Sequence, residues 1–540
     1  MYKTGFERDD SFLNNAASAK AEGIVIDKTA DIHPNAYFEG NITIGRYVRI
    51  EAGVILSGDI SIGDYTVIRA NSALRKNVTV GKNVQIFEQV LIEVGRPDQY
   101  CENPPDRALI SDNCMIGPGS VMHGPKLGEG TIIGMKCALD YNTRTGSWAL
   151  MANGTGAMVD SIFPDNCFIE GSEGKPVSHN ISDTERNAHL GYDYKKRLVE
   201  TASELEHRYK NNLRLADRVK QTSLKIHQSA YIHPTAILEG SIEVGENANV
   251  GPGSILCGDI KLGAHVQVGI NSVIKGAVTL GDNTRVLDGV LLDGSVNPIT
   301  IGKGCMVNHG AMVRACLADN AVVQLAAAVD YNSSVTEGPA GPPDCPGPDI
   351  MAGDREKRGP VKRNVTIAKT AFVHPTVWLE GDICIGEYAY IDAGSILAGS
   401  IEIGENSLLR LNCTLRGTIK IGKHTNILGP VSIADCVIGD RCKVNHGAVM
   451  RGTQMEDASF VHLGAVCEYN TKLQTGAVLG TCSHSHEGQL IPENTLAIGS
   501  PAIETRKDLG NADRNDYFGL DAEGWLMAKA NMQKDELKGT

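Results

Sequence analysis

The chain has 540 residues, a formal charge of −13, 60 glycines and only 5% aromatics, which excludes an ordinary helical or doubly wound α/β interior and points to a core of small and β-branched residues with many tight corners. Its longest basic run is Lys195-Lys196-Arg197, so nucleic acid is not an expected partner. No window approaches the roughly 20 apolar residues of a membrane span, so no membrane is expected either. The 14 cysteines include no C-x-x-C pair, and residues 1–20 lack the apolar stretch of a signal peptide, so reduced thiols and a cytoplasmic location are expected.

From the N-terminus, an aliphatic residue followed by glycine recurs at Ile44-Gly45, Ile62-Gly63 and Val80-Gly81, eighteen residues apart. Eighteen is three hexapeptides. That period predicts a parallel β-helix whose coils each contain three short strands. One aliphatic residue per hexapeptide points into a triangular core, and glycine or a small polar residue takes the turn conformations. The first such domain is read over residues 24–180.

A connector over 181–224 follows. Within it, Leu198, Ala202, Leu205 and Tyr209 have helical spacing and predict a helix across 191–221 packed outside the first β-helix. The ladder returns at Val244-Gly245, Leu262-Gly263 and Leu280-Gly281, giving a second domain over 225–338. The stretch from Gly338-Pro339 through Arg363 reads as an irregular linker, 339–364. A third ladder at Ile385-Gly386, Ile403-Gly404 and Ile421-Gly422 defines a domain over 365–503, and residues 504–540 read as a short helical tail.

His33-Pro34, His233-Pro234 and His374-Pro375 each precede the first aliphatic–glycine pair by eleven residues, so one unit has been triplicated. The expected fold is all-β: three tandem left-handed parallel β-helix domains with a helical connector and tail. Because one chain can satisfy all three interfaces of a trimer, the domains are expected side by side as an intramolecular pseudo-trimer.

The informative polar residues are those that interrupt the aliphatic ladder. Val307 to Arg314 and Val444 to Arg451 are nearly the same string, carrying His309 and His446 five residues before an arginine, and the first unit places His123 in the arginine's slot. His33, His233 and His374 precede proline and read as turn residues. Tyr141, Tyr331 and Tyr469 recur with a following asparagine and are expected to brace the interfaces. Cys482, His484 and His486 alternate and would share one face of an extended segment as metal ligands, although a solvated exit loop is the plainer reading.

Met122-His123-Gly124-Pro125 followed by Thr131-Ile132-Ile133-Gly134-Met135, together with an inserted segment from Val94 to Arg107, resembles the gamma-class carbonic anhydrases of the hexapeptide-repeat superfamily. Those are β-helix trimers with a metal held by histidines at each subunit interface. The resemblance implies an own-subunit ligand pair at Glu93 and His123, at Asp293 and Arg314, and at Ile433 and Arg451. It implies a neighbour-donated position at Pro118, His309 and His446. Glu93 and His123 would then face His309 or His446, according to the direction of the ring, giving at most one His₂Glu set per chain.

Such a set suits zinc, or iron or cobalt, with an open position for water, and implies hydration of carbon dioxide or a related small substrate. Glu102 or Asp98 in the inserted segment would pass the proton to bulk. Arg75 matches the family's arginine, but Asn77 stands where its aspartate is expected, as do Ala277 with Lys275 and Thr418 with Arg416. Two other readings stay open. One is a hexapeptide-type acyltransferase with His309 or His446 as base, and the other a non-catalytic assembly subunit of a larger complex. The partner is thus a small-molecule substrate or a protein subunit, with a higher-order oligomer expected as an option.

Overall fold

The computed structural model describes residues 23–94, 107–329 and 363–510. It is nearly all parallel β-helix, built as three left-handed units. Strands pair with the segment one coil later, as in Ile55↔Ala73 through Ile62↔Val80, Ile255↔Val273 and Ile396↔Thr414. In the first unit the offset jumps where Leu91 pairs with Val121, which locates the insertion after Val94. Antiparallel strands close the first unit at Lys175–Ser178 and the third at Ala502–Arg506.

The hexapeptide buries two positions. Ile44, Ile50, Leu56, Ile62, Ile68 and Leu74 step by six along one row, and Ile42, Val48, Val54, Ile60, Thr66 and Ser72 form a second row two residues earlier. Each buried aliphatic side chain contributes about 1.5–3 kcal/mol. Hydroxyls fit the second row because each has backbone partners: Thr66 donates to the Gly81 carbonyl at 2.9 Å and accepts from the Val84 N–H at 3.2 Å.

The ladder glycines are needed for space, contrary to the expectation that they take the turn conformations. A Cβ on Gly63 would lie 2.6 Å from the Gly81 carbonyl of the next coil. The left-handed turn conformation falls two residues later, on Tyr47, Tyr65 and Asn83 in the first unit.

The connector holds three helices: α1 (Asp183–Leu190), α2 (Tyr194–Lys210) and α3 (Leu215–Lys220). A Ser182/Glu185 capping box starts α1 and Gly191 in the left-handed region ends it, so α1 precedes the span expected to be helical, and that span itself is divided into α2 and α3 at residues 211–214. Tyr194 and Leu198 of α2 pack on Met115, Ile132 and Leu150, outside the first β-helix. Beyond Ala502–Arg506, which is strand where the tail was expected helical, residues 511–540 lie outside the described set, as do most of the linker and Tyr331.

The three units stand side by side and close a ring. Ile55, Leu91 and Val121 of the first meet Ala393, Leu411 and Leu463 of the third. Ala70 and Met135 of the first meet Ile255, Leu291 and Met312 of the second. Leu325 of the second meets Val449 and Val466 of the third. The first coils fix the direction: His33 pairs with Glu239, His233 lies 3.3 Å from Glu380, and His374 lies 3.1 Å from the Tyr37 hydroxyl. The three histidines therefore link neighbouring units, besides accepting turn N–H groups of Asn35, Thr235 and Thr376.

Candidate functional site

Glu93 ends the strand Leu91–Glu93 and His123 ends Val121–His123. Parallel pairing sets Glu93 beside His123 on successive coils. In the third unit the turn between Lys443–Val444 and Val449–Arg451 carries His446. Because each unit's turn faces the next unit round the ring, His446 enters the first unit's site, and one ligand atom from each of Glu93, His123 and His446 lies within 4.8 Å of the others. All three are buried. The two imidazoles meet edge to face at 4.6 Å between centroids, and His446 Nε2 is 3.3 Å from a Glu93 oxygen.

The Nδ1–H of His446 donates to the Gly429 carbonyl, which leaves the Nε2 lone pair facing the cluster. Among the described residues, neither nitrogen of His123, nor Nε2 of His446, has a hydrogen-bond partner. Burial pulls His446 down to about 4. Glu93 is held well below the usual carboxylate range by His446, Arg410 and Arg75, although burial pushes it up. The neutral His446 imidazole and the Glu93 carboxylate thus aim lone pairs at one small volume, and His123 brings a third ligand atom to it. That donor set fits a divalent cation with two imidazoles and one carboxylate.

Further groups surround the three. Asp140, one coil beyond His123, lies 3.8 Å from His123 Nδ1 and 3.9 Å from His462 Nε2 of the third unit. Arg75 lies 3.8 Å from Glu93 and 2.8 Å from Asp392. The arginine therefore has an aspartate partner, contributed by another unit, where spacing within its own unit showed only Asn77. Burial, with Arg410 next, lowers the Lys76 ammonium beside this group to about 8. Neither Asp140–His462 nor Asp392 was singled out in the sequence. Asp140 precedes the recurrent Tyr141 without standing out from it, and Asp392 carries no motif.

The other two interfaces lack a ligand set. Between the first and second units, Asp293 lies 3.5 Å from both Arg314 and Lys275, Lys275 also pairs with Glu88, and Arg69 and Arg314 flank the Phe87 ring. Between the second and third, His309 does not reach Glu93 or His123. It lies 3.3 Å from Asp288, whose other oxygen is 3.1 Å from Arg416, and the positions that would face it are Ile433 and Arg451. Among the described residues, Glu93, His123 and His446 form the one group of three metal-ligating side chains.

Glu102 and Asp98 lie outside the described residues. Cys482, His484 and His486 do not converge: Cys482 meets Gly464, His484 pairs with Glu468 at 3.0 Å, and His486 bonds the Glu487 carbonyl. Cys482 adopts a left-handed turn, so the segment is not extended. Tyr141 packs against Leu408, Leu428 and Phe460 of the third unit, and Tyr469 stacks under Arg451.

No family model and no curated protein matches the chain. Solved structures do. A hexapeptide transferase family protein from Anaplasma phagocytophilum is 21% identical over 32% of this chain and 92% of its own, with a TM-score of 0.23. A putative acetyltransferase from Bacillus cereus is 20% identical over 33% of this chain and 93% of its own, TM-score 0.23. LpxA from Acinetobacter baumannii is 18% identical over 52% and 73%, TM-score 0.19. At these values the likenesses carry no argument about chemistry. Among the described residues, no helix is long and apolar enough to cross a membrane.

Proposed function

We propose that the chain is a gamma-carbonic-anhydrase-like protein that holds one divalent ion, zinc or else iron or cobalt, at Glu93, His123 and His446 and hydrates carbon dioxide or a related small electrophile. The observation that carries this reading is the convergence of three buried ligand-bearing side chains from two units, with His446 Nε2 and both His123 nitrogens lacking a hydrogen-bond partner among the described residues. A bound ion would act as a Lewis acid there, lowering the pKa of a water molecule toward neutrality. Glu93 supplies negative charge that makes this effect weaker than an all-histidine set would. Gly429 fixes the tautomer of His446, Asp140 lies 3.8 Å from His123, and Asp392 draws Arg75 away from Glu93.

Stopped-flow hydration of carbon dioxide by metal-replete protein tests the reading. Turnover should rise from pH 6 to 9 and vanish in His123→Ala. A metal-loaded protein with no turnover across that range would overturn it. A second reading, an acyltransferase, rests on the His309–Asp288 pair. Arg416 already engages that carboxylate and His309 is buried, so its imidazole is less available as a base, and the metal reading is preferred. Acyl transfer from a thioester that His309→Ala abolishes would reverse this preference.

A further inference from the structure

Down the middle of the ring runs a cavity of about 370 Å³, lined by residues of all three units. It starts among Asn35, Thr235 and Thr376 of the first coils, where Asn35 and Thr376 are exposed. It passes between Tyr37, Ile237 and Trp378, then Ile55 and Ile396, then Val431 and Val449, and reaches Met312 and Lys136. In the first unit that path crosses the strands from Tyr37–Glu39 to Ala138–Leu139, five coil spacings or roughly 24 Å. Over that length the exposed lining is mainly apolar, with the amides Asn71, Gln89, Asn271 and Asn412 part-way along it.

Lys136 closes the far end. It occupies a left-handed turn position, φ 57°, where the second unit has Ala326 and the third Gly464. These two small residues leave room on the axis for one long side chain. Its Nζ lies beside Gly310. Among the described residues, no hydrogen bond and no salt bridge reaches it. Burial draws the ammonium down to about 8, with the Cys482 thiol as its ionisable neighbour and no carboxylate, so it is still largely charged at neutral pH. An uncompensated charge in an apolar enclosure is costly unless a counter-charge is supplied.

We propose that this axial cavity binds an alkyl carboxylate, with the tail along the apolar part of its walls and the carboxylate on the Lys136 ammonium. Of the amides along the walls, Asn271 donates to the Thr414 hydroxyl and Gln89 to the Asn271 carbonyl, and the mainly apolar surface that remains suits an alkyl tail better than a sugar or a nucleotide. The closed end offers one cation and no acid. The site is separate from Glu93, His123 and His446 and stands whether or not those residues hold a metal.

The test is calorimetric titration of the delipidated full chain with acetate, octanoate and octan-1-ol. Octanoate should bind, with acetate and octanol each at least tenfold weaker. Lys136→Met should bring octanoate down to the level of octanol. Ile237→Trp, at the mouth and away from the ammonium, should block octanoate in a protein whose Lys136 is intact, so a folding defect at one position cannot decide the result. Equal binding of acetate and octanoate would show a simple anion site, and equal binding of octanol and octanoate a simple apolar one. Either result, or no binding, or octanoate affinity unchanged in Lys136→Met, overturns the proposal.

Discussion

His446 donates its Nδ1 proton to the carbonyl of Gly429, and this contact distinguishes one interface from the other two. At the positions equivalent to Gly429 stand Glu88 and Asp288, which pair instead with Lys275 and Arg416. A carboxylate there closes an interface with an ion pair. A carbonyl orients a histidine and leaves its other nitrogen open. If the open nitrogen serves a metal, added zinc should stabilise the wild-type protein by about 2.7 kcal/mol at a hundredfold excess over its dissociation constant. Thermal unfolding with and without zinc should show that shift, and His123→Ala should show none. An equal shift in the variant would mean that zinc binds elsewhere.

Asp392 is expected to matter although it belongs to a different unit from the arginine it holds. Asp392→Asn removes the ionic partner of Arg75 in a partly buried setting and should cost about 3 kcal/mol of stability. Hydration turnover should also fall, because Arg75 is then free to engage Glu93 more closely. Denaturant unfolding and turnover, measured on the same preparation, check both. Wild-type values in both would show that the 2.8 Å pair is idle.

Stability should fall on acidification. Burial depresses His462 to about 4, below an unfolded value near 6.5, so between those pH values the unfolded chain binds a proton that the folded chain does not. Asp293 is held to about 2 by Lys275 and Arg314 against the effect of burial and adds the same sign at lower pH. Each contribution is present above the unfolded pKa and lost as pH falls. The His462 part amounts to about 3 kcal/mol and should disappear in His462→Gln. Urea midpoints at pH 7, 5.5 and 4.5 measure it, and midpoints that hold level over that range would count against the assignment.

Gly258 has φ 136° and its missing Cβ would stand 2.2 Å from the Gly276 carbonyl of the next coil. Gly258→Ala should cost about 1–3 kcal/mol from backbone strain alone, plus the displacement of that coil. Circular dichroism melts of the variant against wild type provide the measure. An unchanged melt would show that coil spacing is softer than the backbone contacts suggest.

The repeats and the three units were legible in the sequence because each follows from spacing along one unit, and the pairing of Glu93 with His123 was legible through the resemblance to the gamma-class carbonic anhydrases. The choice between His309 and His446 was not, since the direction of the ring is set by cross-unit contacts such as His33 with Glu239. For the same reason Arg75 looked unpartnered, as Asp392 is more than 300 residues away along the chain. The role of the ladder glycines was misread because one coil's backbone approach to the next leaves no trace in local turn chemistry. The second buried row escaped notice because threonine and serine share it with valine, which hides its period.

The most direct measurement is the metal content of purified protein reconstituted with cobalt or zinc, compared between the wild type, His446→Ala and His309→Ala. Ring geometry predicts one ion per chain in the wild type and in His309→Ala, and close to none in His446→Ala. An ion retained by His446→Ala, or a wild-type protein that takes up none, would contradict the site at Glu93, His123 and His446.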